Sequence, residues 1–235
     1  MSVSGLPILS IVTFLPLVGA LVVALIPGRM TGAIRWTALG FALAAWVASL
    51  LLVVGFLPDR PGFTYKEVAD WIPLFGIQYK VGIDGLALVL VVLTTTVSWI
   101  AILASFGPIQ TRVKEYMVSF LILEVGMLGV FIALDLFLFY IFWEFVLVPM
   151  YLIIGVWGGK NRIYATIKFV LYTLVGSLLM LVAILATAFS FQAATGSWVG
   201  AFDFETLRLH AAAGGFDPTL QFFAFAAFFL AFAIK

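Results

Sequence analysis

Long apolar runs alternate with short polar segments along the whole chain. Seven of the runs reach the length of about 20 residues that a helix needs to cross the hydrocarbon core of a bilayer. They predict membrane-spanning helices over 5–27, 34–57, 84–106, 115–134, 136–157, 163–192 and 218–235. The first run has no basic segment ahead of it and exceeds the roughly 7–15 apolar residues of a signal peptide. We therefore expect it to remain as a spanning helix.

The polar segments between the runs predict how the helices are connected. A short turn at Ala133–Asp135 separates the fourth and fifth runs, which predicts an antiparallel helical hairpin. Segment 58–82 is rich in proline and glycine, and its IQYKVG run predicts a short strand, whereas 193–217 is expected to be a second polar loop. The last run continues to the end of the chain without a stop signal, so we expect the sequence to be a fragment of a longer protein.

Composition agrees with a lipid environment. The chain is 65% hydrophobic and 10% charged, against about 25% charged residues in soluble domains. It lacks cysteine, which excludes disulfides, thiolate metal sites, iron–sulfur clusters and c-type haem, and its net charge of +1 gives no basic patch for nucleic acid. The single His210 is expected to be a solvated loop residue and not a metal ligand. These features predict an all-α polytopic membrane protein, with 1–235 as one membrane domain.

Basic residues in the short loops predict the orientation. One side of the membrane would carry Arg29, Arg35, Arg112, Lys114, Lys160 and Arg162, and the other Arg60, Lys66, Lys80 and Arg208. The first set lies in short loops, which are the ones that count in the positive-inside rule. The N-terminus is therefore predicted on the non-cytoplasmic side.

Four ionisable residues fall inside the predicted helices, away from their starts: Glu124, Glu144, Lys168 and Lys235. A charge at the centre of a spanning helix costs about 2.5–3.5 kcal/mol on insertion scales, so such residues are functional candidates by default. Burial disfavours the charged form of either group, whereas an opposite charge favours it. A lysine whose glutamate partner can move away is therefore a proton switch that needs no cofactor.

Glu144 is the leading candidate. It follows the start of its helix by about eight residues, which at 1.5 Å per residue places it about 12 Å deep. Pro149 leaves the Phe145 carbonyl without its helical donor, so a free acceptor lies beside the carboxylate. The alternative is a static ion pair with a lysine on another helix. Trp143, next to it, is expected to be an interfacial or packing residue.

The residues alone do not decide the roles of the other three charges. Lys168 lies between Tyr164 and Tyr172 in a polar-tipped stripe, but it could also extend to the cytoplasmic surface. Lys235 ends a phenylalanine- and alanine-rich run, so its depth cannot be fixed from the residues alone. Glu124 suits a proton relay and an interhelical hydrogen bond equally well.

Several stretches resemble one family. YKVGIDGLAL (79–88), the long stretch 135–177, which begins DLFLFYIFWEF, and FAFAAFFLAFAIK (223–235) are similar to the subunit M (chain 4) family of proton-pumping NADH–quinone oxidoreductase, respiratory complex I. RVKEYMVSFLILE (112–124) fits as well. The resemblance covers most of the chain from residue 64 onward, and the first two helices add only hydrophobicity.

The resemblance implies the N-terminal half of an antiporter-like, proton-translocating subunit of this bacterial plasma-membrane enzyme. It implies that Glu144 and Lys235 form a functional pair and that Lys168 matches the family lysine of helix six. The first antiporter-like repeat would begin at 115–235, after the helices of 1–114, and an inverted second repeat would follow Lys235. NAD, FMN, iron–sulfur clusters and quinone are expected in partner subunits, with none in this chain.

The expected partners are the other membrane subunits, above all the neighbouring antiporter-like ones, together with the lipid bilayer. Two other functions remain open. One is a subunit of a multisubunit cation/proton antiporter, which has related helices. The other is a structural membrane spacer whose charges form static ion pairs.

Overall fold

The computed structural model describes residues 6–56 and 62–235. The helices of these ranges are α1 Ile8–Leu25, α2 Thr31–Gly55, α3 Gly85–Ala104, α4 Val113–Ile132, α5 Leu136–Phe145, α6 Leu147–Trp157, α7 Arg162–Thr195, α8 Phe204–Ala212 and α9 Pro218–Ile234. Strands β1 Thr64–Ile72 and β2 Ile77–Ile83 are joined by a 3-10 turn, Pro73–Phe75. Arg60 and two of the loop prolines, Pro58 and Pro61, lie outside the described residues.

Six helical segments are long and apolar enough to span a membrane: α1, α2, α3, α4, the continuous pair α5–α6, and α7. Helix α9, the predicted seventh span, is equally apolar but covers 17 residues. The prediction of a polytopic helical membrane protein is confirmed. Long apolar runs identify such spans because a lipid-exposed backbone must satisfy its own hydrogen bonds within the helix.

The fold is not entirely helical as predicted, because it includes a small two-stranded antiparallel sheet. The IQYKVG run forms β2 as predicted, but it pairs with β1, which the sequence analysis placed in a loop. The β1 sequence TYKEVADWI is mostly exposed and gives little apolar alternation. Gly76 takes the left-handed conformation, φ 65°, that closes the turn between the strands. In β1, Glu67 accepts hydrogen bonds from the N–H groups of Leu9 and Ser10, at 2.7 and 3.1 Å, and so holds the start of α1.

The segment 193–217, predicted as a second polar loop, is not only a loop. It contains α8, whose N-terminus is capped by Asp203 through the Thr206 N–H at 3.3 Å. His210 is correspondingly not a solvated loop residue. Its ring lies in the last turn of α8 between Phe191 and Phe216, with centroids 5.0 and 4.7 Å away. The predicted loop is thus a packed cover for this end of the helices.

Apolar cores fix how the helices are grouped. Helices α1 to α4 enclose two buried clusters, one near the β-hairpin and one near the opposite helix ends. A third cluster joins α7, α8 and α9 to the hairpin and to the outer face of α5. Helix α5 therefore lies between the two groups, and it carries Glu144.

Candidate functional site

The start of α5 is held on both sides by backbone hydrogen bonds. The Leu134 N–H donates to the Lys80 carbonyl of β2 at 2.9 Å, and the Leu136 N–H donates to the Phe202 carbonyl at 2.8 Å. Asp135, only 1% exposed, caps the helix through the N–H groups of its second and third residues, at 2.9 and 3.0 Å. The helix that positions Glu144 is therefore anchored where it leaves the turn.

Pro149 interrupts the hydrogen bonding of this span, as its missing N–H predicts. Val146, between α5 and α6, keeps helical torsion angles, φ −61° and ψ −29°, so the chain does not turn there. Its N–H still donates to the Phe142 carbonyl at 3.3 Å. Since the helix is interrupted just after that bond, we infer that the next bond of the helical series, which would end on the Trp143 carbonyl, is missing. The Phe145 carbonyl also lacks its helical donor.

Two glycines bring α4 close to this interruption. A Cβ atom on Gly126 would lie 2.7 Å from Cγ2 of Val146, and one on Gly129 would lie 2.5 Å from Cε1 of Phe142 and nearer still to two other ring atoms. Because Gly126 lies against Val146 and Gly129 against Phe142, α4 and α5 run antiparallel. The predicted hairpin at Ala133–Asp135 is therefore confirmed. The close approach leaves α5 little freedom to move relative to α4.

Lys235 reaches the carbonyl that the interruption exposes. Its Nζ donates to the Trp143 carbonyl at 2.5 Å and lies 4.2 Å from the centroid of the Trp143 ring. Trp143 therefore contributes an acceptor and an aromatic face to one cation, and it is more than the packing residue that the sequence suggested. Only the three-dimensional contact identifies it, because the acceptor is a backbone atom.

Glu144 is half-buried beside this lysine. Its charge acts on the Lys235 ammonium, but no carboxylate oxygen in the part of the chain that the structure describes lies within the 4.0 Å of an ion pair with Lys235. The structure thus brings the two predicted partners together without closing the salt bridge. The lysine has an alternative binding position one residue away, at Trp143.

Lys168 lies apart from the pair, on the exposed face of α7. Its Nζ is 5.7 Å from the ring centroid of Tyr164, and Tyr164 and Tyr172 are 68% and 61% exposed. The polar stripe predicted on this helix therefore exists, and it points away from the described bundle. A different face of α7 packs on α9 at Gly176, where a Cβ would meet Ile234 at 3.1 Å.

Glu124 is separate from the pair as well. It is fully buried in α4, at 0% exposure, and neither carboxylate oxygen has a hydrogen-bond partner among residues 6–56 and 62–235. The interhelical hydrogen bond considered for it from the sequence is therefore not formed.

Outside the helices, a charged cluster ties β2 to α8. The Lys80 Nζ lies 2.6 Å from Asp203 and 3.0 Å from Glu205, and Lys66 reaches Glu205 at 2.7 Å. Partial burial by itself would raise the pKa of Asp203, but hydrogen bonds from Lys80 and Thr206 and the charge of Lys80 bring it below its usual value. Burial likewise opposes the charge of Lys80, yet its two carboxylate partners raise its pKa. Sequence analysis had treated these residues only as loop charges.

The described residues contain no group of three or more His, Cys, Asp or Glu side chains that could hold a metal ion. The site combines groups suited to proton chemistry: a carboxylate, an ammonium with two alternative partners, and an interrupted helix whose Trp143 and Phe145 carbonyls lack their helical donors.

Comparison with known families bears on this arrangement of charges. Residues 133–235 match the model of the NADH:quinone oxidoreductase/Mrp antiporter transmembrane family, and this range carries Glu144, Lys168 and Lys235. The part of the chain that carries these charges is therefore similar to this family. Among its relatives, NADH-quinone oxidoreductase subunit M of Rhodobacter capsulatus is 45% identical over 97% of the chain.

Chains of two solved structures share this fold. A chain of respiratory complex I from Thermus thermophilus with bound NADH superposes with a TM-score of 0.78 at 29% identity, over 96% of this chain and 43% of that one. A chain of the Mrp complex from Dietzia sp. DQ12-45-1b superposes at 0.73, over 95% of this chain and 23% of that one; at 17% identity the likeness concerns the fold alone. The chain spans 45% of the length of the Rhodobacter relative.

Proposed function

We propose that the full-length protein is a proton-translocating membrane subunit of NADH–quinone oxidoreductase, respiratory complex I. The observation that carries the proposal is the position of Lys235, bound at the Trp143 carbonyl beside Glu144. Static ion pairing, as in a structural spacer, would favour direct contact between the two charges. Here the lysine is within reach of two partners on one interrupted helix, which suits a group that changes its partner.

The mechanism uses two positions of one ammonium group. In the first, Nζ donates to the Trp143 carbonyl and lies over the indole ring, where a cation is attracted by the ring quadrupole. In the second, it would pair with the Glu144 carboxylate, which favours its charged form more strongly. Displacement from both leaves an ammonium without a partner, and the lysine then transfers its proton to a water molecule on the path to the next carrier.

Lys168 is proposed as a further proton carrier, reached through water. It precedes Gly176 by eight residues, or about 12 Å along the helix axis at 1.5 Å per residue. Gly176 contacts the end of α9. Lys168 and Lys235 are therefore too far apart along the helix axis for a direct proton transfer. The alternative is that the Lys168 side chain only extends to the cytoplasmic surface. Substitution of Lys168 distinguishes these two roles.

The remaining expectations are part of the same proposal. Residues 1–114 would precede the first antiporter-like repeat, which begins with 115–235, and an inverted second repeat would supply the rest of the proton path. The partners would be the other membrane subunits of complex I, with NAD, FMN, iron–sulfur clusters and quinone bound elsewhere in the enzyme. We propose the bacterial plasma membrane as its location, with the N-terminus on the non-cytoplasmic side.

A cation/proton antiporter subunit is the second candidate, because the Mrp chain shares the fold. Purifying the full-length protein from its membranes decides between the two. Complex I membership predicts that it co-purifies with an NADH-oxidising assembly and that NADH drives proton movement in reconstituted vesicles. Sodium- or potassium-driven proton exchange without NADH oxidation would overturn the complex I assignment in favour of the antiporter.

A further inference from the structure

A buried polar layer crosses the bundle of α1 to α4 between its two apolar clusters. The cluster near the hairpin includes Val12, Leu52, Val91 and Leu128, and the other includes Ala20, Ala42, Ile102 and Leu121. Between these levels lie the buried polar residues Thr13, Ser49, Thr95, Ser98 and Glu124, each at most 2% exposed. Each of the four helices therefore contributes at least one buried polar residue to the layer.

Glu124 faces this layer and not the Glu144 helix. Leu121 and Leu128, at i−3 and i+4 on α4, belong to the clusters shared with α1, α2 and α3. Gly126 packs against the α5–α6 interruption instead, and two residues correspond to about 200° around a helix of 3.6 residues per turn. The carboxyl group therefore lies on the far side of α4 from Glu144 and Lys235.

No positive charge compensates Glu124 in the part of α1 to α4 that the structure describes. Arg35, for example, donates to the Ile109 carbonyl at 2.7 Å near the helix ends. An ionised carboxylate without a partner is very costly to bury, and such a group neutralises instead. The packing is therefore compatible with Glu124 in its neutral, protonated form.

Unpaired polar atoms in this bundle indicate that the layer binds something small and polar. Among residues 6–56 and 62–235, both oxygens of Glu124 and the indole Nε1 of Trp99, which follows Ser98 in α3, are buried without a hydrogen-bond partner. Ser49 and Thr95 are already linked by a hydrogen bond of 2.9 Å. Buried donors and acceptors of this kind are ordinarily satisfied by internal water, and a protonated carboxyl group can both donate and accept.

We propose that Glu124 is a second intramembrane proton site, a protonated carboxyl group in a hydroxyl-lined, water-binding layer of α1 to α4. It is distinct from the Glu144–Lys235 site and does not depend on the function proposed for that pair. Because water can reach the layer, the proton on Glu124 exchanges with the solvent.

Infrared spectroscopy of the full-length protein in its assembled complex tests this site. The wild-type spectrum minus that of Glu124→Gln is expected to contain the carbonyl stretch of a protonated carboxylic acid, and the band should shift in D2O. Glu144→Gln and Glu115→Gln should both retain the band, since the first alters the other site and the second an exposed acid on the same helix. If Glu124→Gln does not assemble, Glu124→Met provides the same comparison.

Two results would overturn the proposal. A difference spectrum without the carbonyl band means that Glu124 does not hold a proton. A band that stays fixed after prolonged exposure to D2O means that the proton is sealed in the core and that the layer takes up no exchanging water. Because the readout is a band and not a pumping rate, a failure of the function proposed for Glu144 leaves this test intact.

Discussion

Replacing Gly129 by alanine tests whether the close approach of α4 and α5 positions Glu144. The added Cβ would lie 2.5 Å from Cε1 of Phe142, with two more ring atoms nearer still. Carbon atoms in contact prefer about 3.5–4.0 Å, so the helices must separate by about 1 Å or the ring must leave its position. Overpacking of this kind costs about 1–3 kcal/mol. Phe142 is two residues from Glu144, so the separation should also shift the carboxylate.

The matched control is Gly40→Ala in the interior of α2. A Cβ there meets nothing within 4 Å, and glycine inside a helix costs about 0.5–1 kcal/mol relative to alanine. Thermal unfolding of the full-length protein in detergent should show Gly129→Ala less stable than wild type and Gly40→Ala equal to it or more stable. In the assembled complex, Gly129→Ala should also move fewer protons per NADH oxidised. Wild-type stability and pumping in Gly129→Ala would refute this account of α5 positioning.

Three further substitutions test other contacts. Lys80→Met removes both charge-assisted hydrogen bonds of a mostly buried ammonium and should cost about 1–3 kcal/mol of unfolding free energy at neutral pH. Since Lys80 lowers the pKa of Asp203, this contribution is full above the usual carboxyl pKa and is lost as the pH falls through the lowered pKa of Asp203 in the folded protein. An equal loss at pH 7 and at a pH well below that lowered pKa would contradict the assignment. Trp143→Leu removes an interaction of about 0.5–2 kcal/mol with the ammonium of Lys235. The proton-pumping rate should therefore decrease from wild type to Trp143→Phe to Trp143→Leu. Identical rates in the three proteins would show that the Trp143 ring does not contribute to proton transport. If Lys168 carries protons, Lys168→Ala should abolish proton pumping in reconstituted vesicles. Normal pumping by Lys168→Ala would show that the side chain only extends to the membrane surface.

The spanning helices could be predicted because their information is local. A run of about 20 apolar residues determines a span without reference to its neighbours, and Pro149 interrupts its helix through its own missing N–H. The turn at Ala133–Asp135 was recognisable for the same reason, since Asp135 caps the helix that follows it. Boundaries moved by a few residues at the helix ends, where capping and packing compete.

The parts that were missed depend on contacts between distant residues. Strand β1 is polar and exposed, and it is a strand because β2 pairs with it. Helix α8 covers only nine residues of a polar segment and is held by its packing and by Asp203. The Trp143 carbonyl became a candidate ligand only when Lys235 was found beside it, 92 residues away in sequence. Likewise, the sequence placed Glu124 inside a helix but could not tell that, in the described part of the chain, its carboxyl group has no hydrogen-bond partner.

The central claim is that Glu144 controls the charge on Lys235 during proton transport. The most direct measurement is the number of protons moved per NADH oxidised by Glu144→Gln in the full-length protein, assembled in its complex and reconstituted into vesicles. Glu115→Gln, an exposed acid paired with Arg112, serves as the control and should behave as wild type. The account predicts that Glu144→Gln assembles normally and loses proton movement. Full pumping by an assembled Glu144→Gln complex would contradict it.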